Sequence, residues 1–379
     1  MGGVNLILNI AAAGVLFFLF PVRLKLNFPG VTLYIILMVW LLMIHFMQPD
    51  YALSLKRFFT ILMTQFLIVV LANYAWRMDY FKLVDMLLYY LAIVLALAIY
   101  VHVTKIGPIR IGTHIEEFRM GGLFSFGQAA TLGGLGFLLA VYQLMFNPAS
   151  NKILYGLLTF FFLYCLVASD LRTAIGACML AASVQYVLYL KSRNKNVIPF
   201  ILMAACLYGG YKLYVSTNAE GAGVERDFEY RQLIWKLARH GIYKRPIMGW
   251  GNSTVYFKGN IEVMNFNDML MDPHSSYLAL MLQSGVVACV LLLSFLLRMM
   301  WMCFTNSAYH TKALISLFAY WMIVGSTGGF MYNLDYEITA VLFAFSILAI
   351  CGHPVHRTTA AGSKELAVRQ GMFHPALNH

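Results

Sequence analysis

The sequence predicts an all-α fold: a polytopic transmembrane helical bundle of about eleven to twelve spans with one long polar loop. Three observations predict it. The 379-residue chain is 61% hydrophobic and only 11% charged, where a soluble domain averages roughly 45–50% apolar and about 25% charged. Apolar runs near the length of a bilayer crossing, about 20 residues, recur along the chain. Its cations gather in the short stretches between those runs.

In chain order the runs predict spans at 4–22, 31–48, 58–75, 84–103, 121–146, 153–169, 173–190, 197–215, 285–304, 313–330 and 338–351. They fall into N-terminal spans within 1–120, central spans within 121–215 and C-terminal spans within 285–351. A long loop with short helices occupies 216–284, and a polar tail rich in His, Ala and Gly occupies 352–379. Met1 to Asn5 carry no Lys or Arg, so 4–22 reads as a retained span, since a secretory leader wants a basic start.

The 27 Lys and Arg against 16 Asp and Glu give a formal charge of +11. In a soluble protein that balance points to nucleic acid, but no basic patch with interleaved aromatics occurs here. The cations instead report orientation. One set of alternate loops holds Arg23, Lys25, Arg77, Lys82, Lys152, Lys191, Arg193, Lys195, Arg298, Lys312, Arg357, Lys364 and Arg369. The other, apart from the long loop, holds Lys56, Arg57, Lys105, Arg110, Arg119 and Arg172. The richer set is expected to be cytoplasmic, which puts 104–120, 170–172 and the long loop together on the outer side. Cys165, Cys178, Cys206, Cys289, Cys303 and Cys351 all lie in or beside apolar runs, so neither a disulfide framework nor a Cys metal site is indicated.

Within the long loop the pattern predicts a helix from Arg226 to Gly241. Arg231, Trp235 and Arg239 share one face of it, and Tyr230, Leu233, Ile234 and Leu237 share another. The first face either shows guanidiniums to a phosphate, which their planar fork grips bidentately, or is simply solvated. Arg245-Pro246-Ile247-Met248-Gly249-Trp250-Gly251 reads as a turn: the Pro ends the helix and the glycines allow close backbone approach. Asp272-Pro273 predicts a second helix start, with His274 in the first turn of a helix running to Ser284-Gly285. The field of a helix N-terminus disfavours an imidazolium, so His274 suits a neutral base; a buried capping His is the plain alternative.

Arg172 sits between two spans, either functional by its cost there or paired with Asp170. Arg119 stands at the mouth of the fifth span, where snorkelling is the alternative. Asp335 and Glu337, in the last outer turn, position an acceptor or keep the turn wet. There is no P-loop, Rossmann fingerprint, His-x-x-x-His or nucleophile elbow, and Asp-x-Asp is absent. Arginines and one His on one face suit a diphosphate leaving group and a hydroxyl nucleophile, with no metal or other cofactor needed.

Four motifs then carry a resemblance: Ser-x-x-Arg-Thr at 169–173, Arg-x-x-x-Trp at 231–235, Arg-Pro-Ile-Met-Gly-Trp-Gly at 245–251, and His-Ser-Ser-Tyr-Leu followed by Gly285 at 274–285. In order and spacing, over roughly 119–300, they resemble the O-antigen ligase and polymerase superfamily. The resemblance implies a GT-C-like membrane glycosyltransferase in the bacterial inner membrane, with its active site facing the periplasm. Its donor is a glycan on undecaprenyl diphosphate; its acceptor is lipid A core in the ligase, or a nascent polysaccharide in the polymerase. The transfer it implies is inverting and metal-independent. By resemblance Arg172 and Arg231 grip the diphosphate and His274 activates the acceptor or helps bind the donor, with Arg119 a weaker carry-over; Trp235, Arg239 and Asp335 complete the expected substrate contacts. The chain departs where many relatives read His-Asn, having His274-Ser275, and where Ser-Arg-Thr is usual, having Asp170-Leu171 before Arg172.

The ligase is the leading reading and the repeat-unit polymerase its alternative. A transporter of lipid-linked oligosaccharide is a second alternative, which predicts polar residues spread through the spans. The spans read as largely apolar with polar groups gathered at one face, which favours surface chemistry.

Overall fold

The computed structural model describes residues 31–47, 80–104, 126–169, 171–196, 222–250 and 275–327. These form α1 (Val31–Phe46), α2 (Tyr80–Thr104), α3 (Phe126–Phe146), α4 (Lys152–Ala168), α5 (Arg172–Ser192), α6 (Ala222–Lys244), α7 (Ser276–Thr305), α8 (Tyr309–Ala313) and α9 (Ile315–Thr327). There is no strand among the described residues. Four of the helices, α2, α3, α5 and α7, are long and apolar enough to cross a membrane.

Spans expected at 31–48, 84–103, 121–146, 153–169, 173–190, 285–304 and 313–330 meet α1, α2, α3, α4, α5, the later part of α7 and α9. Those expected at 4–22, 58–75, 197–215 and 338–351, with the tail, lie outside the described residues. The fold is that of a helical, multi-pass membrane protein.

α3 is the central helix, buried along most of its length. Its glycines permit this. A Cβ on Gly134 would lie 2.0 Å from the Tyr320 hydroxyl oxygen of α9, and one on Gly136 would lie 2.3 Å from the Phe162 ring of α4. Small residues at helix contacts are how membrane helices gain close packing without a hydrophobic drive between them. α4 starts where Asn151 caps it, its side chain accepting from the Leu154 N–H at 3.2 Å; that satisfies one of the first-turn donors.

The outward faces are apolar as well. On α2, Met86, Tyr90, Ile93, Leu97 and Tyr100 form an exposed stripe at helical spacing, and on α4 Ile153, Leu157, Phe160, Tyr164 and Val167 form another. Apolar faces inside and out are what lipid as solvent allows.

One end of the bundle gathers the starts of α2 and α8 and the ends of α3 and α5. Phe81 stacks near Tyr142 (6.4 Å) and His310 (6.0 Å), and Phe146 meets Tyr189 edge-on at 5.8 Å. These residues adjoin the cation-rich loops near 82, 152, 191–195 and 312, which therefore share one side.

Within these largely apolar spans the structure buries a few polar side chains. Gln143 donates to Asp85 Oδ1 at 2.7 Å and to the Phe81 carbonyl at 2.9 Å, and the Tyr155 hydroxyl also donates to Asp85 Oδ1. Gln185 is fully buried on α5, and neither its Oε1 nor its Nε2 has a hydrogen-bond partner. Single polar residues inside long apolar runs barely lower a run's hydropathy, so they escape a reading by windows.

Candidate functional site

The candidate site belongs to the opposite end. Cys178, two turns into α5, donates its thiol to the Gly134 carbonyl of α3 at 3.7 Å. Beside it the Tyr320 hydroxyl of α9 reaches the Ala130 and Thr131 carbonyls, each at 3.3 Å. Tyr277, at the start of α7, donates to the Met322 carbonyl at 3.0 Å. These contacts put the start of α5, the start of α7 and the end of α9 at one end. Arg172 opens α5 there and is exposed.

α6 lies on α7 through an apolar face. Ile234, Ala238 and Ile242 are buried with Leu282, and Leu237, Trp250 and Leu278 pack around them. The expected helix from Arg226 to Gly241 runs longer, from Ala222 to Lys244, and ends before Pro246 as the proline requires. Its other face carries Arg239, whose Nε donates to the Trp235 carbonyl at 3.3 Å. Arg231 lies two turns earlier on the same helix.

After α6 the chain turns back. The Arg245 guanidinium lies over the Trp250 ring at 4.2 Å, and the Trp250 indole N–H donates to the Gly241 carbonyl at 2.9 Å. The turn then locks onto a break in α7 at Gly285, where φ is 79° and ψ is 170°. The Val286 N–H donates to the Pro246 carbonyl at 2.7 Å, and the Leu282 carbonyl accepts from the Trp250 N–H at 2.8 Å. Trp40 of α1 adds its indole N–H to the Ser284 carbonyl at 2.9 Å. Both glycines are required: a Cβ on Gly285 would sit 1.7 Å from the Ile247 oxygen, and one on Gly249, at φ 66°, would sit 2.4 Å from the Gln283 oxygen.

One expectation changes at the start of α7. The helix begins at Ser276, with Ser275 extended (φ −147°, ψ 117°) at its N-cap, instead of at Pro273. Ser275 holds the N-cap position by its extended backbone and makes no side-chain cap hydrogen bond. His274, Arg119 and Asp335 themselves lie outside the described residues. The structure brings Trp235 and Arg239 together on α6 and places Arg172 on a separate helix at the same end.

Residues 157–293 match the family model of O-antigen ligase. Through that segment the chain is similar to the O-antigen ligase-like superfamily. No curated protein matches it. The matched stretch runs from α4 to just past the Gly285 break, and so takes in Arg172, α6, the 245–250 turn and His274; Arg119 and Asp335 fall outside it.

Sequence reasoning took the 245–251 motif for a turn alone. In the structure it is half of a clasp whose other half is the glycine ending the His274 motif. Both motifs carry a glycine with positive φ at the contact, Gly249 and Gly285, a feature that the structure shows and the sequence does not.

Proposed function

We propose that the chain transfers a glycan from undecaprenyl diphosphate to an acceptor hydroxyl at the periplasmic face of the bacterial inner membrane, as an O-antigen ligase with lipid A core as acceptor. One observation carries this reading: the O-antigen ligase match takes in the Arg172, α6 and His274 motifs together. In the reaction the acceptor oxygen attacks the anomeric carbon from the face opposite the diphosphate. The bond from carbon to phosphate oxygen breaks, undecaprenyl diphosphate leaves, and the configuration inverts. His274 takes the hydroxyl proton. Arg172 and Arg231 hold the diphosphate and stabilise the charge that develops on it, so the step needs no metal. Trp235, Arg239, Arg119 and Asp335 shape the sugar and acceptor sites.

Repeat-unit polymerisation uses the same chemistry with a second lipid-linked glycan as acceptor. The buried amides of Gln143 and Gln185 favour a different reading, transport of the lipid-linked glycan, because polar groups inside spans mark transport paths. Purified protein, given a short glycan on undecaprenyl diphosphate without metal, separates the three. Product on added lipid A core supports the ligase. A ladder formed without core makes it the polymerase. No transfer in either, with lipid-linked glycan moved across vesicles, makes it the transporter.

A further inference from the structure

We propose that the turn from Lys244 to Met248 is a bilayer anchor: Ile247 and Met248 enter the acyl layer of the leaflet at the site end, and Lys244 and Arg245 meet phospholipid phosphates. This inference stands apart from the reaction proposed above.

The turn belongs to the polar loop, yet Ile247 is 60% and Met248 42% exposed. What they face follows from depth. From Val286 to Thr305, α7 runs about 20 residues, about 30 Å, the thickness of the hydrocarbon layer, and the exposed Arg298 reaches the far boundary along its long stem. Trp301 and Phe304 lie exposed near its far end, with ring centroids 6.2 Å apart, as aromatic residues do at one bilayer boundary. Gly285 then marks the other boundary. The Pro246 carbonyl is fixed to Val286 N–H at 2.7 Å, so the turn is held at that boundary and not out in water.

The patch also continues a lipid-facing surface. Val286, Val290, Leu297, Trp301 and Phe304 form an exposed stripe along α7. Ile247 and Met248 extend it past the break. Lys244 and Arg245 are exposed beside them, and cations at this height reach anionic phosphates while their stems stay in apolar surroundings.

The test uses the full chain in phospholipid nanodiscs that contain no polyprenyl lipid. Ile247→Cys, Met248→Cys and Lys236→Cys variants are each labelled with a nitroxide, and wild type, labelled alongside, sets the background from native cysteines. Collision with oxygen reports lipid, and collision with a water-soluble nickel chelate reports water. The expected result is an oxygen-to-nickel ratio severalfold higher at 247 and 248 than at 236, where α6 faces water. Nickel dominating at both 247 and 248 would overturn the anchor. A switch to oxygen only after polyprenyl diphosphate is added would also overturn it, assigning the patch to the donor's tail.

Discussion

Val286 donates its backbone N–H to the carbonyl of Pro246 at 2.7 Å, across the break that Gly285 makes in α7. A break in a membrane helix leaves backbone groups that lipid cannot satisfy. The turn after α6 supplies partners for them: Pro246 for the Val286 N–H, and the Trp250 N–H for the Leu282 carbonyl. The bonds join α6, with its arginine face, to the helix that follows His274. The clasp thereby fixes how two of the candidate motifs stand to one another.

Gly285→Ala is expected to open the clasp, because the new methyl would fall 1.7 Å from the Ile247 oxygen. The cost should be at least about 1–3 kcal/mol, the range for overpacking. Gly156→Ala is the control, since a Cβ there meets nothing within 4 Å; in a helix interior it should gain up to about 1 kcal/mol. Thermal unfolding in detergent should show the two variants moving in opposite directions.

Gln185→Leu is expected to stabilise the protein. The amide is fully buried on α5 without a partner for either polar atom, and a buried unsatisfied group costs about 1–3 kcal/mol. A higher melting temperature with transfer activity intact is the predicted result. A loss of glycan handling at raised stability would give this amide a working role and favour the transport reading.

Most of the helices were legible in the sequence because apolar runs of membrane length leave few other structures open. α4 and α5 depart from their expected ends by one or two residues. α6 was legible from its periodicity, and Ile234 and Leu237 do face α7. The clasp was not legible: a pair of hydrogen bonds between distant segments has no period and no composition. The polar contacts of Asp85 were hidden for a related reason, since its partners Gln143 and Tyr155 come from two other helices. In the candidate site, α7 starts at Ser276, later than the Asp272-Pro273 signal predicts.

Arg172→Lys is expected to lose most transfer activity although it keeps the charge. Lysine presents a point charge where the guanidinium offers a planar fork to phosphate oxygens. Arg172 is the first residue of α5 and is exposed, so folding should change little. Transfer rates beside size-exclusion profiles check both halves. Near-normal rates would reduce Arg172 to a counter-charge.

The central claim, that this chain moves a lipid-linked glycan with His274 as its base, is tested most directly by the single variant His274→Ala. The purified protein is assayed for release of undecaprenyl diphosphate with acceptor present and no metal added. The account predicts turnover by wild type and none by the variant, with both eluting alike from the sizing column. Full turnover by His274→Ala would contradict it.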